Sequence, residues 1–245
     1  MKLKNISKSF GDNKIFSNFD IEFSEGKITA VLGPSGCGKT TLLNIISGLT
    51  DFSGEREIIP IEKNETEVAK SISDRDRSER ISYMFQSVRL IPNLTVYGNL
   101  EYVLRDIRNK NERRETIFDM LKKVELFDKK DAYPSELSGG MAQRAALARA
   151  FVYAAPLLLM DEPFKGLDVS LKKRVIDVFV KLYSDDGRTV VFVTHDIDEA
   201  LLLADRIIVL KKGGEIIFDG VIDKSRADRS IGDFSDLKNK LYDIL

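Results

Sequence analysis

Cysteine and histidine are nearly absent from these 245 residues, with one of each. A lone cysteine, Cys37, excludes an internal disulfide and fits a reducing compartment. Charge of one sign is lacking as well: 38 basic and 39 acidic residues leave a net charge of -1. No overall field therefore draws the chain to nucleic acid or to an anionic membrane, and no nucleic-acid partner is expected. Long hydrophobic runs are missing too. The longest, Ala145 to Met160, is broken by Arg149 and Pro156, and Met1 to Asn5 lacks the apolar core of a signal segment. Neither a membrane span nor a secretory leader is expected. There is no internal repeat and no low-complexity linker. What the chain does have is 43% hydrophobic residues, enough for a buried core in one large domain or a core with a subdomain.

The most informative stretch is Gly33-Pro34-Ser35-Gly36-Cys37-Gly38-Lys39-Thr40-Thr41. It follows the apolar run Ile28 to Leu32 and precedes Leu42, Leu43, Ile45, Ile46 and Leu49, spaced as one face of a helix. Strand, glycine loop and helix succeed one another. Gly33, Gly38, Lys39 and Thr40 fill the pattern GxxxxGK(S/T), in which backbone N–H groups surround phosphates, the lysine reaches the β and γ oxygens and the hydroxyl ligates Mg²⁺. Glycine is needed where the backbone itself approaches the anion. Cys37 reads as a small tolerated side chain rather than a redox centre.

Along the chain, Phe19, Ile21 and Phe23 alternate with acids as a half-buried strand, with Leu3, Ile6 and Phe10 hinting at another before it and a turn at Gly11-Asp12-Asn13. The phosphate-loop helix is expected to end at Gly48. Ile58 to Ile61 is apolar, and the polar tract Glu62 to Arg80 reads as solvated loop. Ile81 to Phe85 is strand-like. Leu100, Val103, Leu104 and Ile107 fit one helix, and Ile117, Leu121 and Val124 fit a second after the charged run Arg108 to Glu115. A helical subdomain over 87–154, inserted between core segments 1–86 and 155–245, is the economical reading. The alanine-rich stretch after Ser138 is a strong helix. Leu157 to Met160 suits a strand buried on both faces, and Val190 to Thr194 is a further strand, ending at His195. Between them, Val169 to Tyr183 is helical. Ile207 to Leu210 and Ile216 to Phe218 suggest a closing hairpin, and the last residues a terminal helix. Strands alternating with helices predict an α/β fold with a parallel sheet.

In such sheets ligands bind outside the carboxyl ends of the strands. Gly33, Gln86, Asp161 with Glu162, and His195 each follow a predicted strand and can line one site. Asp161 suits the metal shell, and Glu162 suits orientation or deprotonation of water, a salt bridge or helix cap being its plainer alternative. Gln86 would ligate Mg²⁺ through its amide oxygen or be polar surface. His195 would act at the site or be structural. Ser138-Gly139-Gly140 is a second candidate anion cradle at a helix N-terminus, or a helix cap and a tight turn. A second cradle makes sense if two copies face each other and each completes the other's site.

Together these residues resemble the ATP-binding-cassette ATPase family over nearly the whole chain. Besides the phosphate loop, Leu137-Ser138-Gly139-Gly140-Met141-Ala142-Gln143 looks like the signature stretch, Leu157 to Glu162 like the Walker B strand, Gln86 like the Q-loop, Gly166-Leu167-Asp168 like the D-loop and His195 like the switch histidine. The resemblance implies a P-loop NTPase (RecA-like) core with an N-terminal antiparallel β subdomain and an inserted helical subdomain. It implies ATP and Mg²⁺ as cofactors: Lys39 on the β and γ phosphates, Thr40 and Gln86 on the metal, Asp161 supporting it, Glu162 as general base, and His195 steadying γ-phosphate and water. Ser138, Gly139 and Gly140 would contact the partner subunit's ATP, Asp168 would communicate across the interface, and Phe10 would stack on adenine, with Phe16 nearby and a core role the alternative for either. Lys165 departs from the small residue frequent in the family.

Met84-Phe85-Gln86, Leu90 to Val96, Pro163-Phe164 and Thr194 to Ala200 look like the importer ATPases, closest to the nitrate, sulfonate and taurine type. The implied partners are transmembrane permease subunits docking near Ser87 to Tyr102, a second ATPase subunit and a solute-binding protein, with the chain cytoplasmic and peripheral on the inner face of the cell membrane. Leu90, Ile91 and Leu94 are then expected to be unusually exposed. The competing class is an ATP-gated module regulating or remodelling a membrane complex, as in cell division or lipoprotein release; Pro163 to Asp168 favours import. DNA-repair or translation ATPases fit poorly, with no long coiled-coil insertion, no second cassette and no basic excess.

Overall fold

The structure, a computed structural model, describes residues 1–58 and 80–245, excepting the side chains of Ala227 and Ile231. Its strands are β1 (Lys2–Phe10), β2 (Asn13–Glu22), β3 (Ile28–Leu32), β4 (Ser53–Glu57), β5 (Ile81–Met84), β6 (Leu157–Asp161), β7 (Thr189–Val193), β8 (Arg206–Leu210) and β9 (Ile216–Val221). Its α-helices are α1 (Lys39–Ser47), α2 (Val96–Val103), α3 (Lys110–Lys123), α4 (Gly139–Val152), α5 (Val169–Asp186), α6 (Ile197–Leu203) and α7 (Ser235–Ile244). The chain divides into two units, one of Met1–Ile59, Leu159–Glu162 and Arg188–Leu245, the other of Pro60–Leu158 and Pro163–Gly187.

In the first unit, alternation at Phe19 and Ile21 buries one face of β2, and a register shift between Leu3 and Ile6 lets both of these β1 residues, three apart, be buried against it. Leu3, Ile6, Phe16, Phe19 and Ile21 go inside, and the strands pair antiparallel with Leu3 opposite Ile21 and Ile6 opposite Phe19. β4 completes a sheet of order β2-β1-β4. It lies where no strand was expected, because all five of its residues are exposed and no apolar alternation announces it. Pairing with β1 and the ion pair between Lys4 and Glu57 at 3.0 Å hold it instead.

The larger sheet of this unit runs β6-β7-β3-β8-β9. β3 lies between β7 and β8, parallel to both, and β9 returns antiparallel to β8 as the expected hairpin. Every residue of β3, β6 and β7 is buried, as expected of strands covered on both faces. Each such Val, Leu or Ile contributes roughly 1.5–3 kcal/mol by leaving water. Gly48 ends α1 in the left-handed conformation, its N–H donating to the carbonyls of Asn44 and Ile45. The seven-residue helix α6 follows directly on His195 and Asp196 and was not expected as an element.

In the second unit α4 is central. Its small residues Ala145, Ala146 and Ala148 are buried, which lets α2, α3, α5 and β5 all pack against it. α2 is shorter than its apolar spacing predicts: it closes at Val103, and Ile107 reaches the interior through a turn onto the Leu104 carbonyl. α3 begins inside the charged run, not after it, because Asn109 caps it by accepting from the backbone of Asn111 and Glu112. The apolar residues at 59–61 and the polar tract at 62–79 lie outside the described residues. No helix among those described is long and apolar enough to cross a membrane.

Candidate functional site

The carboxyl ends of three strands in the first unit are held in step by hydrogen bonds. Thr194 N–H donates to the Val31 carbonyl at 3.2 Å, and Glu162 N–H donates to the Val193 carbonyl at 2.9 Å. The residues just beyond β3, β6 and β7 thus share one edge, and they are the glycine loop, Glu162 and His195.

The loop itself is shaped by close approaches that a side chain would block. Gly33, at φ 150°, has no room for a Cβ beside the Leu210 carbonyl and the Cys37 sulfur, and a Cβ at Gly38, at φ 107°, would stand 2.7 Å from Ile15 and 2.9 Å from Phe16. Pro34, Ser35 and Gly36 form an exposed apex, while Cys37 and Lys39 are buried. Burial pushes the Cys37 thiol up despite the nearby Lys39 cation, so it stays a thiol, in line with a packing role. Thr41 is half-buried within α1.

Lys39 Nζ donates to the carbonyls of Gly33 at 2.6 Å and Pro34 at 3.0 Å. Only 8% of the residue is exposed. No carboxylate pairs with it among the described residues, and a desolvated ammonium held by carbonyls alone favours an anion beside it. The Thr40 hydroxyl lies 3.0 and 3.2 Å from the two oxygens of buried Asp161. Hydroxyl and carboxylate are the hard oxygen donors that Mg²⁺ takes. Among the described residues no cluster of three His, Cys, Asp or Glu side chains forms a metal cage, which agrees with Mg²⁺ sites where phosphate oxygens and waters supply most ligands. The residues present fit the metal.

Glu162 Oε1 lies 3.2 Å from His195 Nδ1, the glutamate side chain 14% and the histidine side chain 60% exposed. A sheltered carboxylate beside an imidazole open to solvent is suited to moving a proton. Glu162 has a backbone φ of 44°, in the left-handed region that glutamate disfavours.

The turn carrying His195 is braced by residues that the sequence offers only as part of an importer-like stretch, with no structural role read for them. The Thr194 hydroxyl donates to Glu199 Oε2 at 2.6 Å and accepts from Asp196 N–H at 3.1 Å. Asp196 caps α6 through the backbone of Asp198 and Glu199. An Asp followed three residues later by Glu, the pattern of a capping box, was the signal available.

Phe10, at the end of β1, is 54% exposed with the Lys8 ammonium 4.8 Å from its ring centre. Phe16 is fully buried beneath the glycine loop, which is the core role. The remaining candidates belong to the second unit. Gln86 is exposed just beyond β5. Ser138 caps α4, its hydroxyl accepting from Met141 N–H at 3.4 Å. A Cβ at Gly139 would meet open space, whereas one at Gly140 would run into the Leu171 side chain. Asp168 caps α5, and its bonds from the Leu171 backbone and the Ser170 hydroxyl hold its carboxyl below the usual range.

The expected exposed trio is not exposed. Leu90 is buried at 8%, and Ile91 and Leu94 are half-buried. The loop folds back on α2, so its apolar residues point inward. Val88 and Tyr102 are the large apolar side chains exposed there, and the Arg89 and Arg105 guanidiniums stack on the rings of Phe85 and Tyr102 at 4.1 and 3.9 Å.

The chain matches the family model described as ABC transporter over residues 16–165. It is 39% identical over 218 residues to the sulfate/thiosulfate import ATP-binding protein CysA of Mannheimia succiniciproducens, covering 87% of this chain and 59% of that protein. The spermidine/putrescine import ATP-binding protein PotA of the same organism is 37% identical over 215 residues, with coverage of 87% and 56%. The Fe(3+) ions import ATP-binding protein FbpC of Fusobacterium nucleatum is 39% identical over 215 residues, again with 87% and 56%. The chain therefore spans a little over half the length of these curated relatives. A dimeric structure of a post-hydrolysis state of an ATP-binding cassette, bound to ADP and Pi, matches with a TM-score of 0.74 at 34% identity, covering 91% of this chain and 99% of that one.

Proposed function

We propose, since the chain belongs to the ABC transporter family, that it binds ATP with Mg²⁺, hydrolyses it as a head-to-tail dimer and thereby energises solute uptake through a separate membrane permease. The observation that carries this reading is the single edge on which Lys39, the Thr40–Asp161 pair and the Glu162–His195 pair stand. Lys39 and the loop N–H groups bind the phosphates, and the thick walls at Gly33 and Gly38 keep the backbone close enough to do so. Thr40 and Asp161 would hold Mg²⁺, as Gln86 would on the family resemblance, and the metal would supply charge neutralisation at the phosphate oxygens. Glu162 orients the attacking water and accepts its proton through Oε1, and His195 keeps that carboxylate aimed. Phe10 offers its open face to adenine.

Ser138, Gly139 and Asp168 sit at exposed helix ends and would meet the nucleotide and surface of the second subunit, with Gly140 shaping the same turn. Dimer closure on two ATP molecules and reopening after hydrolysis would drive the permease through the stretch Ser87 to Tyr102. Import is favoured because the relatives above are named as import ATP-binding proteins. Their solutes differ, so the choice within importers rests on the residues around Gln86 and His195, which support the nitrate, sulfonate and taurine subclass, with a solute-binding protein in the same system. The chain would work at the cytoplasmic face of the membrane.

Glu162→Gln tests the catalytic reading. The glutamine amide keeps the shape of the carboxylate but cannot act as the base, so ATP affinity should be retained while phosphate release falls about 10²–10⁴-fold. A variant that turns over normally removes Glu162 from that role. Uptake assays of nitrate, taurine and sulfate in cells lacking the gene test the subclass.

A further inference from the structure

The loop from Arg89 to Thr95 is fastened within the second unit by two residues that take no part in the nucleotide chemistry. Asn99 on α2 is fully buried. Its Oδ1 accepts from Ile91 N–H at 2.7 Å, and its Nδ2 lies 3.2, 3.2 and 3.0 Å from the carbonyls of Ile91, Leu94 and Thr95. Arg149 on α4 donates from Nη1 to the Arg89 carbonyl at 2.6 Å and reaches Asn99 Oδ1 at 3.5 Å. Among the described residues Arg149 has no carboxylate partner, and burial lowers its pKa. A guanidinium sheltered against carbonyls alone is costlier than an apolar side chain of similar reach. Packing therefore does not account for it, whereas its hold on the loop does.

The other end of the same helix is the capped turn at Ser138. Arg149 lies about 16 Å, or three turns, further along, and α4 is buried along most of that length. We propose that Arg149 and Asn99 are positioning residues that fasten the loop 89–95 to α4, so that a change at Ser138 to Gly140 alters how tightly the loop is held. This rests on the reading of Ser138 to Gly140 as the contact with a partner's ATP and of residues 87–102 as the face toward the permease. It adds the two residues that fasten the loop.

Hydrogen exchange on the full chain tests it in two arms. In the free chain, Arg149→Met and Asn99→Ala should each speed exchange over residues 89–95 by about tenfold or more, since a hydrogen bond to a charged or buried group is lost. Urea unfolding checks that each variant folds, and Arg149→Lys, which can still donate to the Arg89 carbonyl, serves if the others do not. Unchanged exchange in folded variants would overturn the lock. The second arm uses Glu162→Gln chains with and without MgATP. With Arg149 present, residues 138–142 and 89–95 should both change on adding MgATP. With Arg149→Met, the change at 138–142 should persist and that at 89–95 should disappear. A loop that still responds without Arg149 overturns the relay. Silence at 138–142 with Arg149 in place overturns the dimer reading instead, and the relay with it.

Discussion

At the scale of single residues, the environment of each charge decides what it can do. Lys39 and Arg149 are both sheltered cations held by carbonyls, but one faces the glycine loop and the other a surface loop. Asp219 shows the opposite arrangement. The Arg206 guanidinium binds it through two contacts at 2.7 and 2.6 Å and holds its carboxyl below the usual carboxylate range. The folded value is lower than the unfolded one, so the pair stabilises β8 and β9 above about pH 4 and loses that contribution as pH falls through the folded value. Its side chain is 41% exposed, so the effect is modest. Urea midpoints measured from pH 6 downward should show less acid sensitivity in Asp219→Asn than in the parent chain.

At the scale of elements, the sequence was legible where chemistry or periodicity repeats locally. The glycine loop, the buried strands β3, β6 and β7 and the helices α1, α4 and α5 follow from patterns contained within a few turns. β4 was not legible because it has no apolar face of its own and owes its existence to β1. α6 was missed because seven residues give too short a periodic signal. The burial of Leu90 was beyond reach because Asn99 and Arg149 fold the loop inward, and nothing local to Leu90 reports them. Gly140 carries the same lesson. Its neighbour sequence suggests anion binding, yet the Leu171 side chain of α5 fills the space where its Cβ would stand. Gly140→Ala should therefore cost about 1–3 kcal/mol by overpacking, while Gly139→Ala should change stability far less. Chemical unfolding of the two variants side by side decides it, and equal losses would contradict the packing account.

At the scale of the whole molecule, the first unit supplies Lys39, Thr40, Asp161, Glu162 and His195, while Ser138 and Asp168 stand exposed on the second. A dimer in which one copy covers the other's phosphates uses both. Glu162→Gln with MgATP should elute as a dimer on size exclusion and as a monomer without nucleotide; elution as a monomer throughout would leave the exposed helix ends without that use. The left-handed backbone at Glu162 has a consequence for how such a chain can be improved. Left-handed φ costs a non-glycine residue roughly 1–2 kcal/mol, so Glu162→Gly should raise the melting temperature, and on the proposed reading of Glu162 as the base it should also silence hydrolysis. Any selection that rewards heat resistance alone would thus drift toward an inert protein at this position, and the persistence of glutamate there would have to be enforced by turnover.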